Sequence, residues 1–213
     1  MLDFNKIKTI PINQIKNKVK LSDLVKSEDS KILIDSIELN ELADITTNAA
    51  IRNKQVIIMI GAHVIKVGMS LLIIDLMKKG IIKHIAMNGA GPIHDFELAL
   101  IGETSEYVED TIEDGTFGMI EETGKILNEA INEGAKNNCG YGYSIGRKIN
   151  DLNLANKEYS ILYNAYKLNI PVTVHVAIGT DIIHQHPSCD GAAIGKTSYQ
   201  DFKIFTESVS KLE

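Results

Sequence analysis

The fold of this protein is decided by residues 55–95, which read QVIIMIGAHVIKVGMSLLIIDLMKKGIIKHIAMNGAGPIHD. Two short apolar runs rich in β-branched residues, 55–60 and 81–87, flank a helical pattern over residues 64–79 that stops at Gly80. A strand, a helix and a second strand joined by short connections are typical of parallel strands covered by a helix. This stretch therefore predicts an α/β fold.

A third strand is predicted at residues 172–178, where an apolar run follows a proline and helical patterns lie on either side. The three strands together predict a Rossmann-like parallel sheet with helices on both faces. Residues 1–30 are polar and rich in lysine, and we expect them to form an N-terminal arm. Residues 31–213 are expected to form a single α/β domain, either complete or lacking a C-terminal part.

The composition of the 213-residue chain argues against several classes of function. A net charge of −6 argues against a nucleic-acid partner, because binding phosphates needs a basic surface. The apolar stretches are too short and interrupted to span a bilayer, so no membrane segment is expected. The two cysteines, Cys139 and Cys189, lie far apart without a CxxC partner, which favours reduced thiols and a cytoplasmic location.

Unusual residues gather where the three predicted strands end. The first strand is followed by Gly61-Ala62-His63, the second by residues 88–95, and the third by residues 179–186. Four of the six histidines lie in these segments. Ligands of open parallel sheets bind beyond the carboxyl ends of the strands. We therefore expect the three segments to converge on one crevice.

The glycines after the first two strands fit either a ligand-binding turn or an ordinary tight turn. Gly61 precedes one predicted helix, and Gly89 and Gly91 precede the next. A glycine lets the backbone approach a ligand closely, and the N–H groups of the following helix can hold an anion. The spacing lacks the GxGxxG fingerprint, so no motif supports a standard dinucleotide site.

The third segment allows more than one chemistry. A carboxylate such as Asp181 that orients an imidazole such as His184 suits proton transfer near neutral pH. The His-x-His pair of His184 and His186 would instead suit a metal-dependent hydrolase, with the further ligands supplied by Asp181, His175, His94 or Glu97. Structural hydrogen bonding is the third interpretation.

Two long stretches resemble the deoxyhypusine synthase family. Residues 60–97, IGAHVIKVGMSLLIIDLMKKGIIKHIAMNGAGPIHDFE, are similar to the family's segment of strand, helix, second strand and glycine pair. Residues 144–181, SIGRKINDLNLANKEYSILYNAYKLNIPVTVHVAIGTD, resemble its later stretch that ends in a Thr-Asp motif. The resemblance runs from near residue 56 to the end of the chain.

The resemblance implies an NAD-dependent transferase with a Rossmann-like fold, assembled as a homotetramer. Such an enzyme oxidises an amine substrate, spermidine, and passes its aminobutyl group through a lysine imine to an acceptor lysine on a protein. The resemblance places the following residues beside NAD: Gly61, Ala62, His63, Asn88, Gly89, Gly91 and Asp95. It places His94, Asp181 and His184 at the catalytic centre and assigns no residue to a metal.

The sequence also departs from this family. Ile93 and His94 stand where the family has a Glu-Glu pair, one of which holds the cofactor ribose. The segment that bears the family's catalytic lysine would lie beyond Glu213. A non-catalytic or truncated homologue that serves as an oligomer subunit is therefore a further alternative.

Overall fold

The computed structural model describes residues 3–29 and 36–212 and confirms the predicted Rossmann-like α/β fold. The strands within these ranges are β1 (Asn17–Lys20), β2 (Ile57–Ile60), β3 (His84–Asn88), β4 (Glu103–Glu106) and β5 (Val172–His175). The α-helices are α1 (Ile37–Ile51), α2 (Ala62–Lys66), α3 (Ser70–Lys78), α4 (Ala90–Ile101), α5 (Val108–Thr111), α6 (Glu121–Lys136), α7 (Tyr141–Asp151), α8 (Ile161–Leu168) and α9 (Gly191–Val209). Across these ranges, no helix combines the length and apolar content that crossing a membrane would require.

The central sheet is parallel, with its strands in the order β2-β3-β5. Ile85 of β3 is fully buried in a core built from apolar side chains of α3, α4, α7 and α8. Successive side chains of a strand point to opposite faces, so His84 lies on the other face. There His84 contacts Ser208 and Phe205 of α9. Both faces of β3 are therefore covered by helices.

Helix α9 also closes the outer edge of β5. A carboxylate oxygen of Asp201 accepts the N–H of Val174 at 2.8 Å and the N–H of Gly142 at 3.0 Å. The hydroxyl of Ser198 donates to the carbonyl of Val174 and accepts the N–H of Val176. These side chains satisfy backbone groups that a further strand would otherwise pair with, and the sheet ends at β5.

The segment predicted as one helix over residues 64–79 forms two, α2 and α3. The chain turns at Gly68, whose φ of +83° favours glycine. A Cβ at this position would overlap the carbonyl of Asp23, so the turn is also a close approach between two backbones.

The N-terminal residues 3–29 pack on the domain instead of forming the arm that was expected. β1 pairs antiparallel with β4, with Asn17 opposite Glu106. Ile12 and Leu24 are 5% and 6% exposed, so two apolar side chains of this polar segment are buried. The predicted boundary between residues 30 and 31 lies outside the described residues.

Candidate functional site

Residues that follow β3 and β5 converge on one cavity of about 250 Å³. Its polar wall comes from α4, from β4 and from the loop after β5, and Lys66 of α2 lies beside it. Apolar side chains, among them Ile93, Phe117 and Ile120, form the rest of the wall. We call this the strand-end cavity, and the ionisable side chains that line it are Lys66, His94, Glu97, Glu106 and Asp181.

A hydrogen-bonded relay links His94 to a buried carboxylate. His94 and Glu97 are three residues apart on α4, so they share one face of the helix. The hydroxyl of Thr104 donates to Glu97 Oε2 at 2.5 Å and lies 2.7 Å from His94 Nδ1. While Glu97 is ionised it receives the single hydrogen of this hydroxyl, so Nδ1 of His94 then carries a proton and donates it. The other ring nitrogen, Nε2, is then free to accept a proton.

Burial sets the protonation of the relay. Desolvation raises the pKa of Glu97 to about 7, and the nearby negative charge of Glu106 raises it further. The hydrogen bonds from Thr104 and Thr123 act in the opposite direction and lower this pKa. Desolvation lowers the pKa of His94 to about 4, and the positive charges of Lys66 and His63 add to this. Near neutral pH the imidazole is therefore neutral, and the carboxyl is poised between its two protonation states.

Two further carboxylates of the cavity have a buried oxygen without a hydrogen-bond donor, and one of these oxygens, Asp181 Oδ2, lies 3.8 Å from His184 Nε2. Asp181 Oδ2 and Glu106 Oε2 are buried and accept no hydrogen bond from the described residues. Burial raises the pKa of both side chains. The nearby charge of His184 partly lowers the pKa of Asp181, and the hydrogen bond from the Gly118 N–H partly lowers that of Glu106. Buried polar oxygens are normally paired. These two therefore suit a ligand that brings hydrogen-bond donors.

His184 and His186 serve the loop after β5 and do not form a metal centre. His184 Nδ1 accepts the N–H of Gly179 at 3.0 Å and the N–H of Asp181 at 3.2 Å. His186 Nδ1 accepts the N–H of Ser188. Within residues 3–29 and 36–212, no group of three or more His, Cys, Asp or Glu side chains could hold a metal ion. Among the described residues, the alternative of a metal-dependent hydrolase therefore finds no group of ligands to support it.

The predicted cofactor glycines differ in their surroundings. A Cβ at Gly89 would overlap the carboxylate of Asp181, and a Cβ at Gly91 would lie 2.8 Å from Met87 Sδ. Both glycines are thus explained by packing inside the protein. At Gly61 the nearest atom to such a Cβ is Asn88 Nδ2, at 3.8 Å. The notch between Gly61 and Asn88 is therefore open to a ligand.

The geometry constrains where the predicted NAD could lie. In Rossmann-like folds the pyrophosphate sits at a helix N-terminus after a strand. At the start of α4 this place is taken by the Asp181 carboxylate, which lies against Gly89 and would repel a phosphate. Of the predicted cofactor residues, Gly61, His63 and Asn88 are exposed and remain accessible at this notch. NAD binding stays a prediction.

Asp95 has a structural role instead of the predicted contact with a cofactor. Its side chain is fully buried, and its carboxylate accepts the N–H groups of Ile161 and Leu162 at 2.7 and 3.1 Å and the Ser160 hydroxyl. Asp95 therefore ties α4 to the N-terminus of α8. Ala62 is likewise buried, at 6% exposed, so neither side chain faces a ligand.

Sequence analysis missed Lys66, Thr104 and Glu106, and it considered Glu97 only as a possible metal ligand. The pairing of Glu97 with His94 could have been found from the spacing, because Glu97 lies one helical turn after His94. Thr104 and Glu106 belong to β4, a short polar strand whose sequence, ETSE, lacks an apolar alternation. Its place in the site follows from pairing with β1, which local sequence does not show.

No protein-family model and no curated protein matches this sequence. Among solved structures, the chain is similar to ArgZ, an arginine dihydrolase from the ornithine-ammonia cycle in cyanobacteria, with 16% identity over 84% of this chain and a TM-score of 0.51. It is also similar to a mutant of AgrE in a binary complex with L-arginine, with 14% identity over 86% of this chain and a TM-score of 0.53. A conserved putative LOR/SDH protein from Methanococcus maripaludis S2 is 18% identical over 81% of this chain and 52% of its own, with a TM-score of 0.48.

The chain spans about a quarter of the ArgZ and AgrE chains, 23% and 25% respectively. At these identities the likeness shows a shared fold. It overturns the predicted NAD-dependent aminobutyl transfer, because the similar structures with a TM-score above 0.5 named here are the arginine dihydrolase ArgZ and AgrE in complex with L-arginine, and not deoxyhypusine synthases. The alternative of a non-catalytic subunit leaves the relay and the carboxylates of the cavity unexplained, and we do not retain it.

Proposed function

We propose that this chain binds a basic amino acid in the strand-end cavity and moves a proton on it through His94. The observation that carries the proposal is the pair of buried oxygens, Glu106 Oε2 and Asp181 Oδ2, that line one cavity and accept no hydrogen bond from the described residues. Two acceptors without donors match a ligand with two cationic groups. Lys66 in the same wall supplies a positive charge for a carboxylate.

The charges of the cavity suit a basic amino acid, which carries one carboxylate, one α-ammonium group and a positively charged side chain. The ligand's carboxylate would pair with Lys66, and its α-ammonium and side-chain cation would pair with Asp181 and Glu106. These pairs form in a partly apolar cavity, where they are stronger than in water. A purely apolar or acidic ligand would leave the carboxylates unpaired or repelled.

The relay gives the site a route for one proton. His94 Nε2 accepts a proton from the bound ammonium group, which becomes a neutral amine and hence a nucleophile. His94 Nδ1 then passes its proton to the Thr104 hydroxyl, and that hydroxyl passes its own to Glu97. The proton rests on Glu97, whose pKa of about 7 exceeds that of His94, about 4. The step is balanced and needs no oxidant.

L-Arginine is the first ligand to test, because the AgrE structure similar to this fold was determined with L-arginine bound. Titration calorimetry should detect binding of L-arginine or L-ornithine and no binding of L-leucine or L-glutamate. Glu106→Gln and Asp181→Asn should each weaken this binding roughly tenfold to a hundredfold, since each removes one charged hydrogen bond. Glu109→Gln, at an exposed carboxylate outside the cavity, is the matched control.

The proposal fails if neither basic amino acid binds at millimolar concentration. It also fails if the cavity variants bind as well as Glu109→Gln does.

We further propose a cytoplasmic location, which the two free thiols, Cys139 and Cys189, support.

A further inference from the structure

A second cavity, with a volume of about 280 Å³, lies between α7, α8 and α9 at the start of β5. It shares no lining residue with the strand-end cavity. Most of its wall is apolar and comes from Leu162, Ala165, Ile170, Pro171 and Ile204. We call it the α9 cavity. Its size and its apolar lining suit a small organic molecule.

Asp201 of α9 places a completely buried carboxyl group in the wall of the α9 cavity. Its Oδ2 atom accepts the N–H groups of Gly142 and Val174, which is its role in the fold. Its Oδ1 atom is also buried, and it accepts no hydrogen bond from the described residues. A Cβ at Gly140 would overlap Oδ1, and Gly140 also lines the cavity. The glycine therefore leaves Oδ1 without a side chain over it at the cavity wall.

The wall of the α9 cavity offers this carboxylate no positively charged side chain. Among the described residues that line the cavity, none is a lysine, an arginine or a histidine. Burial raises the pKa of Asp201 to about 7, against the hydrogen bonds from Gly142 and Val174. The N–H of Tyr141 also lowers this pKa but forms no hydrogen bond with Oδ1. Because a buried carboxylate oxygen is normally paired, Oδ1 suits a ligand that brings both a positive charge and a donor.

We propose that the α9 cavity binds a small primary amine with an apolar body, whose ammonium group donates a hydrogen bond to Oδ1 of Asp201. The charged hydrogen bond neutralises the buried carboxylate, and the apolar body packs against side chains such as Leu162 and Ala165. A ligand with a carboxylate or phosphate at this point would be repelled. This site is separate from the one proposed for a basic amino acid and does not depend on it.

The aromatic rings of the wall narrow the choice of the apolar body. Tyr143 and Tyr166 line the cavity with their ring centroids 5.4 Å apart in an edge-to-face arrangement. A further aromatic ring can pack against such a pair in the same way. The probe is therefore 2-phenylethylamine, in which two carbons join a phenyl ring to a primary ammonium group.

Calorimetry and amide NMR test whether the full chain binds this probe in the α9 cavity. The amine should bind with a dissociation constant below about 1 mM. It should shift the amide signals of Gly142 and Val174, because both N–H groups bind the carboxyl of Asp201. Phenylacetate, which has a similar body and a negative charge, should bind at least tenfold more weakly. An amine that does not bind at millimolar concentration, or phenylacetate that binds as tightly, would overturn the proposal.

Two variants test the site from different sides. Asp201→Asn keeps an oxygen for the two backbone N–H groups but removes the charge, so it should weaken amine binding at least tenfold. Ala165→Leu fills the cavity and keeps the carboxyl, so it should weaken binding to a similar extent, and it decides the question if Asp201→Asn does not fold. Glu207→Gln, at an exposed carboxylate of the same helix, is the matched control. If Asp181→Asn abolishes amine binding while a folded α9-cavity variant retains it, the amine occupies the strand-end cavity and the proposal is wrong.

Discussion

The hydroxyl of Thr104 lies 2.7 Å from Nδ1 of His94 and joins this imidazole to the carboxylate of Glu97 on the same helix. Thr104 is on β4, which is held in place by β1. The N-terminal strand β1 therefore holds Thr104 in position through its pairing with β4, although it is far from the relay in sequence. A helix alone would place His94 beside Glu97 without defining which nitrogen carries the proton.

Replacing Glu97 by glutamine should change the pH dependence of stability. The folded pKa of about 7 lies above the ordinary value of 4.5, so the carboxyl contributes stability that is present below pH 4.5 and is lost as the pH rises through 7. The free energy of unfolding of Glu97→Gln, relative to the parent, should therefore increase by roughly 3 kcal/mol over this range. Urea unfolding at several pH values measures it. A difference that does not vary with pH would contradict a buried acid at position 97.

Thr104→Val should break the relay while preserving the shape of the side chain. It leaves the buried Glu97 short of one donor and His94 Nδ1 without its acceptor, which should cost about 1–3 kcal/mol of stability. Nitrogen NMR of the His94 ring should show that Nδ1 no longer holds the proton exclusively. Thr104→Ser, which keeps the hydroxyl, should restore the tautomer. A valine variant with an unchanged spectrum would show that Thr104 does not orient the ring.

Asp95→Ala should destabilise the fold without affecting the site directly. It leaves two backbone N–H groups and one hydroxyl at the start of α8 without their acceptor, so we expect a loss on the order of 3 kcal/mol or more in urea unfolding. L-Arginine affinity, measured by calorimetry on the folded fraction, should stay within about twofold of the parent. A selective loss of affinity at unchanged stability would instead place Asp95 in the binding site.

Two glycine variants should distinguish a glycine that packing requires, Gly89, from a glycine that has room for a methyl group, Gly61. A methyl at Gly89 would overlap the Asp181 carboxylate, so Gly89→Ala should displace this carboxylate and weaken basic amino-acid binding at least tenfold. A methyl at Gly61 would meet nothing closer than 3.8 Å, so Gly61→Ala should change stability by less than about 0.5 kcal/mol. Calorimetry and thermal melting of the two variants give the comparison. If Gly89→Ala bound basic amino acids as tightly as Gly61→Ala does, Asp181 would not contact the ligand.

The predicted NAD site can be tested at the same notch. If NAD binds beside Gly61 and Asn88, the methyl of Gly61→Ala would stand between cofactor and sheet and should weaken NAD binding at least tenfold at an unchanged melting temperature. Gly191→Ala, at the exposed start of α9 where an added Cβ would meet nothing within 4 Å, controls for the substitution itself. Calorimetry that finds no binding of NAD or NADH to the parent would show that NAD is not a cofactor of this protein.

Part of the candidate site was predictable because it follows a rule of position. His94 and Asp181 come after predicted parallel strands, and the carboxyl ends of such strands meet at one edge of the sheet. Asp95 shares that position, yet it points into the core and anchors α8. Sequence position identifies which segments meet at the edge, but the direction of each side chain depends on the helix that carries it.

The amino-acid sequence by itself determined the parallel sheet, since runs such as residues 57–60 and 85–87 are apolar on both faces, a pattern typical of parallel strands between layers of helices. Only the tertiary structure decided that β4 supplies Thr104 and Glu106 to the cavity. A polar strand has no local signature, because its burial is made favourable by partners that are distant in the chain. The same reason applies to the pKa of Glu97, which is raised by the walls that surround it.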